Sequence, residues 1–135
     1  MNNKIFNGLS VFSALLGSVL GWFLGGLDGL LLSLIVFVII DYVTGVMLAI
    51  IEKKISSKIG SRGIAKKVAI FALVGIANVI DINIISNGNA IRGAVILFYI
   101  SNEGISILEN VAKMDLPIPE KLKSILKQVS GESKK

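Results

Sequence analysis

Between Ile5 and Ile51 the chain carries only two charged residues, Asp28 and Asp41. A water-soluble helix of comparable length needs a polar face, and this stretch has none. Its solvent is therefore hydrocarbon. The whole chain agrees: 53% of its residues are hydrophobic against 17% charged, and mean hydropathy is +0.79. A small soluble fold cannot cover its surface with so few polar groups. A length of 135 residues allows a single domain.

A helix crossing roughly 30 Å of hydrocarbon needs about 20 apolar residues. Four segments qualify, at about 5–24, 30–51, 68–85 and 91–108. Gly25-Gly26-Leu27-Asp28-Gly29 and Ser86-Asn87-Gly88-Asn89 are turn signals between them. Ser101-Asn102-Glu103-Gly104 interrupts the fourth segment, which is tolerable where the acid faces other helices or water. The first segment exceeds the apolar core of a signal peptide and lacks an A-x-A-like cleavage site, which predicts a retained span. The expectation is an all-α integral membrane protein with four transmembrane helices in residues 1–112. Residues 113–135 form a cytoplasmic tail with an amphipathic helix over 119–129. There Leu122, Ile125, Leu126 and Val129 share one face, and Pro119 opens the helix with Glu120 at its positive dipole end. Lys121, Lys123 and Lys127 suit a helix lying on a membrane surface or packed against a neighbour. Gly131–Lys135 reads as a frayed polar end.

Charge placement predicts orientation. The segment 52–67 carries Lys53, Lys54, Lys58, Arg62, Lys66 and Lys67 against Glu52, and the tail carries Lys113, Lys121, Lys123, Lys127, Lys134 and Lys135. The turns around Asp28 and Asn87 carry no Lys or Arg. Under the positive-inside rule the basic loop, the tail and both termini are cytoplasmic. Arg92 is the discordant charge, and its long side chain is expected to snorkel. The basic loop anchors topology and can attract anionic lipid, at about 1 kcal/mol per basic residue. A net charge of +5 and a pI near 9.6 are accounted for this way, so nucleic acid is not an expected partner.

The chain has no cysteine and no histidine. That removes thiolate nucleophiles, disulfides and soft or imidazole metal sites. No nucleophile–base constellation is visible either, so no enzyme, metal or cofactor is expected. What stands out is intramembrane. Ser13, Gly17, Gly21 and Gly25 recur every four residues on the first span, with Ser10, Ala14 and Ser18 beside them. Small residues so spaced let helices approach closely. Packing inside one subunit and packing between copies both remain open. Asp41, Asp81 and Glu103 fall within spans, at a cost of about 2.5–3.5 kcal/mol each at a helix centre. Polar neighbours accompany them: Thr44, Asn78, Asn102 and Ser106. Asp81 sits near the outer end of its span, where Arg92 can meet it. For Asp41 and Glu103 two roles stay open: a carboxyl that locks helices together, or a polar face that later lines water.

Asp41-Tyr42-Val43-Thr44-Gly45, Lys54-Ile55-Ser56-Ser57-Lys58, and Gly63-Ile64-Ala65-Lys66-Lys67 form an ordered series. Asn102-Glu103, Ser106-Ile107-Leu108-Glu109-Asn110 and Pro117-Ile118-Pro119-Glu120-Lys121-Leu122 continue it. Over roughly Asp41 to Val129 the chain resembles the toxin-secretion/phage-lysis holin family of Gram-positive bacteria and their phages. The first span matches only in character. The resemblance implies a homo-oligomer of the cytoplasmic membrane that forms a pore or lesion. An endolysin, or a large toxin in some clostridial relatives, passes through without needing direct binding. The alternatives are a small proton-coupled or drug transporter and a membrane assembly subunit. Four-helix exporters typically carry a Glu in the first span, and this first span has no acid.

Overall fold

The computed structural model describes residues 2–86 and 88–130; Asn87 and the expected polar end Gly131–Lys135 lie outside them. Five helices follow in order: α1 (Asn2–Leu24), α2 (Gly29–Ile51), α3 (Ser57–Ile80), α4 (Ala90–Lys113) and α5 (Glu120–Ser130), with a π-helical turn, Asp81–Ile85, extending α3. No strand occurs among the described residues. Local chemistry sets the breaks. Gly25 and Gly26 turn left-handed after α1, at φ +84° and +90°. There the Gly26 N–H donates to Gly21 O at 2.8 Å and the Gly25 N–H to Trp22 O at 3.3 Å, the bond pair of a glycine-ended helix. Asp28 opens α2 by accepting the Leu31 N–H at 2.9 Å. Ser56 opens α3 in the same way, from the Ile59 N–H at 3.2 Å.

Helices α1 to α4, with α3 counted through its π-helical turn, are long and apolar enough to cross a membrane. The third begins earlier than its hydropathy suggests. Lys58, Arg62, Lys66 and Lys67, expected in a loop, lie on α3, and the connection from α2 shrinks to Glu52–Ser56. The Ser56 cap starts the helix there, and partners on other helices absorb the charge of Lys67. Ser101–Gly104 does not interrupt α4. Ser101 Oγ donates back to Leu97 O at 3.1 Å, so the polar stretch stays helical.

Helices α2, α3 and α4 enclose a core of Leu31, Leu34, Val38, Ile70, Val74 and Ile96. Helix α1 packs on α3, where the Phe23 ring fills the space a Cβ on Gly75 would take. Every residue from Asn2 to Leu20 is exposed. Ile5, Phe6, Leu9, Phe12, Leu15 and Val19 therefore face outward, the reverse of a water-soluble surface. Helix α5 folds back along α4. Its Leu126 is buried over Gly104, where a Cβ would come within 2.8 Å of Leu126 Cδ2.

Candidate functional site

The core stripe of each central helix has a charged residue at both ends. On α2, Asp28 caps the stripe Leu31, Leu34, Val38 and Asp41. On α3 it runs from Lys67 through Ile70, Val74 and Asn78 to Asp81. On α4 it runs from Arg92 through Ile96 to Glu103. The helical repeat keeps these residues on one face. At 1.5 Å per residue the two charged layers lie about 17–21 Å apart. Each layer holds two acids and one base.

The layer nearer the α2–α3 turn, termed inner, joins three helices through one ammonium. Lys67 Nζ donates to Asp41 Oδ2 at 2.6 Å and to Glu103 Oε2 at 2.7 Å. The side chains of Lys67, Asp41 and Glu103 are 16%, 10% and 8% exposed, so the pairs are weakly screened. Asn110 Nδ2 donates to Asp41 Oδ1 at 3.2 Å and to Thr44 Oγ1 at 3.1 Å. The Thr44 hydroxyl donates to Ile40 O at 2.9 Å. A cavity of about 250 Å³ opens on one side, with Asp41, Lys67, Ser106 and Asn110 on its lining beside Tyr42 and Ile59. Tyr42 lies beside Gly60 and Gly63 there, where a Cβ would make ordinary contact with it. A second cavity, of about 350 Å³, meets Lys67 and Glu103 between Lys66, Asn102 and Glu109.

The layer at the other end, termed outer, ties the α1–α2 turn to α3 and α4. Arg92 is 1% exposed. Its Nη1 donates to Asp28 Oδ2 at 2.6 Å, Nη2 to Gly26 O at 2.9 Å, and Nε to Leu24 O at 2.7 Å. Arg92 therefore does not snorkel, and its guanidinium reaches Asp28 rather than Asp81. Asp81 meets the backbone instead, accepting the Ile91 N–H at 3.1 Å and the Arg92 N–H at 2.7 Å. This satisfies two of the free donors at the start of α4. Asn78 Nδ2 donates to Phe23 O at 3.1 Å and closes the end of α1. The Arg92 hydrogen bond, and then the one from the Leu31 N–H, hold the Asp28 carboxyl below the ordinary aspartate range.

The remaining sequence candidates separate. Gly25 lies in the turn after α1, where a Cβ would lie 2.5 Å from Asn78 Oδ1. Ser13 is exposed, and nothing within the subunit comes within 4 Å of a Cβ built on Gly17 or Gly21. Asn102 is exposed at the rim of the second cavity. Lys53, Lys54, Lys58, Arg62 and Lys66 are exposed at the end of the bundle where α2 meets α3. Sequence reasoning missed Asn110, which stands two turns after Glu103 on the same face, and it missed the Arg92–Asp28 pair. Among the described residues no buried side-chain polar atom lacks a partner, and no three His, Cys, Asp or Glu side chains converge as a metal site would need. The hydrogen bonds of the Lys67 layer run between α2, α3 and α4.

Residues 18–131, which take in both layers, match the model of the bacteriophage holin family. The chain belongs to that family. It is 40% identical over 67 residues to a probable holin of Bacillus phage phi105, covering 50% of this chain and 49% of that one. An uncharacterized protein of Listeria monocytogenes is 52% identical over 73 residues, covering 54% of this chain and 51% of its own. An uncharacterized 14.9 kDa protein of Clostridium perfringens is 47% identical over 81 residues, covering 59% and 61%. The holin family member thus spans about half the length of the curated relatives it matches. No solved structure matches it.

Proposed function

We propose that this holin family member crosses a bacterial cytoplasmic membrane four times, gathers with further copies, and opens a lesion. An endolysin then reaches the cell wall, or a large toxin leaves the cell. The observation that carries this reading is the family match over residues 18–131. The geometry fits it in three ways. Four long apolar helices are available to span. Helix α1 is left with an exposed apolar surface that calls for lipid or another copy. The carboxyls of the inner layer are hidden against a lysine, so a rearrangement of three helices can expose them to water. In the closed protein the Asp41–Lys67–Glu103 cluster acts as the lock between α2, α3 and α4.

Charge placement favours cytoplasmic termini. Lys53, Lys54, Lys58 and Arg62 gather where α2 meets α3, and Lys113 ends α4 at the same end. At the opposite end Arg92 is the one discordant charge under the positive-inside rule, and it is buried and paired with Asp28.

The test is inducible expression in a bacterial host with and without a co-expressed endolysin that lacks a signal peptide. Lysis on joint induction, and endolysin retained in the cytoplasm when the membrane protein is absent, is the expected result. A chain that accumulates in the membrane yet releases neither the endolysin nor a co-expressed large toxin overturns the reading.

A further inference from the structure

Helix α5 buries one side chain and leaves most of its apolar face uncovered. Leu126 is 8% exposed over Gly104, whereas Leu122, Ile125 and Val129 remain 45%, 46% and 45% exposed. With 3.6 residues per turn the four side chains fill one arc of about 100°. Leu126 is at one edge of the arc and Ile125 at the other. Lys123 stands beyond the Leu126 edge and Lys121 beyond the Ile125 edge. Glu120 is the one acid of the helix; it faces Lys123 at 3.4 Å with its side chain 87% exposed, an arrangement that solvent screens.

From this arrangement we infer that α5 docks on the anionic headgroups of the leaflet it faces, its apolar arc sunk to the headgroup–acyl boundary. The inference rests on the membrane reading above. Lysines flanking an apolar arc lay their stems along the boundary while their ammonium groups reach phosphate. Charge complementarity decides the occupant. A second copy would bring its own basic α5, or the Lys58, Arg62 and Lys66 side of α3, against a surface that is already cationic. An anionic leaflet offers the opposite sign. Because Leu126 rests on Gly104, next to Glu103, the docked helix also lies against the segment of α4 that carries part of the inner cluster.

Trp22 is the single tryptophan of the chain, which allows a depth measurement on the full-length protein. The chain is reconstituted into phosphatidylcholine vesicles with or without phosphatidylglycerol, using lipids brominated on their acyl chains. Wild-type Trp22 reports insertion of the bundle. In a Trp22→Phe, Ile125→Trp protein the indole at position 125 reports α5, and the exposure of Ile125 lets the larger ring fit. Quenching at position 125 is expected with phosphatidylglycerol present. It should fall without that lipid and in Lys121→Gln, Lys123→Gln protein, each lysine being worth about fivefold in the docked ratio. Equal quenching in both vesicle types and in the Gln variant overturns anionic recognition. Absent quenching overturns docking, and Ile125→Cys disulfides between copies would then assign the face to a second subunit. If Trp22 itself escapes quenching, the membrane reading fails, and this inference fails with it.

Discussion

At the scale of single residues, Lys67 carries the most consequence. Its ammonium stands between two carboxylates that would otherwise face each other inside the bundle. Lys67→Met should destabilise the protein by roughly 3–5 kcal/mol, because removing one partner leaves buried charge uncompensated. Combined with Asp41→Asn and Glu103→Gln, the same change should regain most of that loss. Unfolding in detergent measures both, and a wild-type transition in Lys67→Met protein would end the lock model. Asp28 gives a pH-dependent counterpart. Its folded-state pKa is depressed by Arg92 and then by Leu31, so its contribution is complete above the ordinary value of 3.8 and is lost as pH falls through the folded value. The stability gap between wild type and Asp28→Asn should therefore be open near neutrality and close in acid below that value. The side chain is 47% exposed, which keeps the gap small.

At the scale of elements, α1 separates two uses of glycine that look alike in sequence. Gly25 is needed by the turn, at φ +84° and against Asn78 and Arg92. Gly25→Ala should cost about 1–2 kcal/mol from the left-handed backbone alone, more once Asn78 is displaced, measured by unfolding in detergent. Nothing within the subunit comes within 4 Å of a Cβ built on Gly17 or Gly21. Gly17→Leu or Gly21→Leu should leave unfolding unchanged while reducing crosslinked oligomers in membranes, because bulk keeps helices apart. Unchanged crosslinking would remove that face from assembly. The periodicity reported close approach in both cases and could not say whether a turn, a neighbour or a second copy makes it.

At the scale of the molecule, the two charged layers and the basic end together predict orientation. Reporter fusions ending after Asp28 or Gly88 should be external, and those ending after Lys54 or at the C-terminus internal. An external signal from the C-terminal fusion would refute four spans with both termini inside. The internal fusion belongs in the α2–α3 turn because Lys58 already lies within α3. The lock and the lesion meet at this scale too. Asp41→Leu or Glu103→Leu protein that inserts and crosslinks normally but fails to release a co-expressed endolysin would show that the inner layer must become wet. Weak crosslinking with lesions that still open would confine the carboxyls to fastening helices.

The sequence by itself determined the helical class, the four apolar segments and the turns between α1 and α2 and between α3 and α4. Hydrocarbon admits only backbone that satisfies its own hydrogen bonds, and that demand is written into composition, spacing and the glycine and asparagine breaks. It also marked Asp41, Asp81 and Glu103 as costly. Only the tertiary structure decided what neutralises them. Lys67 lies 26 residues from Asp41 and 36 from Glu103, and Arg92 lies 64 from Asp28. Along a linear chain a buried, paired lysine looks the same as one solvated in a loop, so Lys67 read as part of the basic loop and Arg92 as a stray. Packing of α2, α3 and α4 brings those partners within hydrogen-bond distance, and electrostatic energy depends on that distance and the local dielectric, not on separation in sequence.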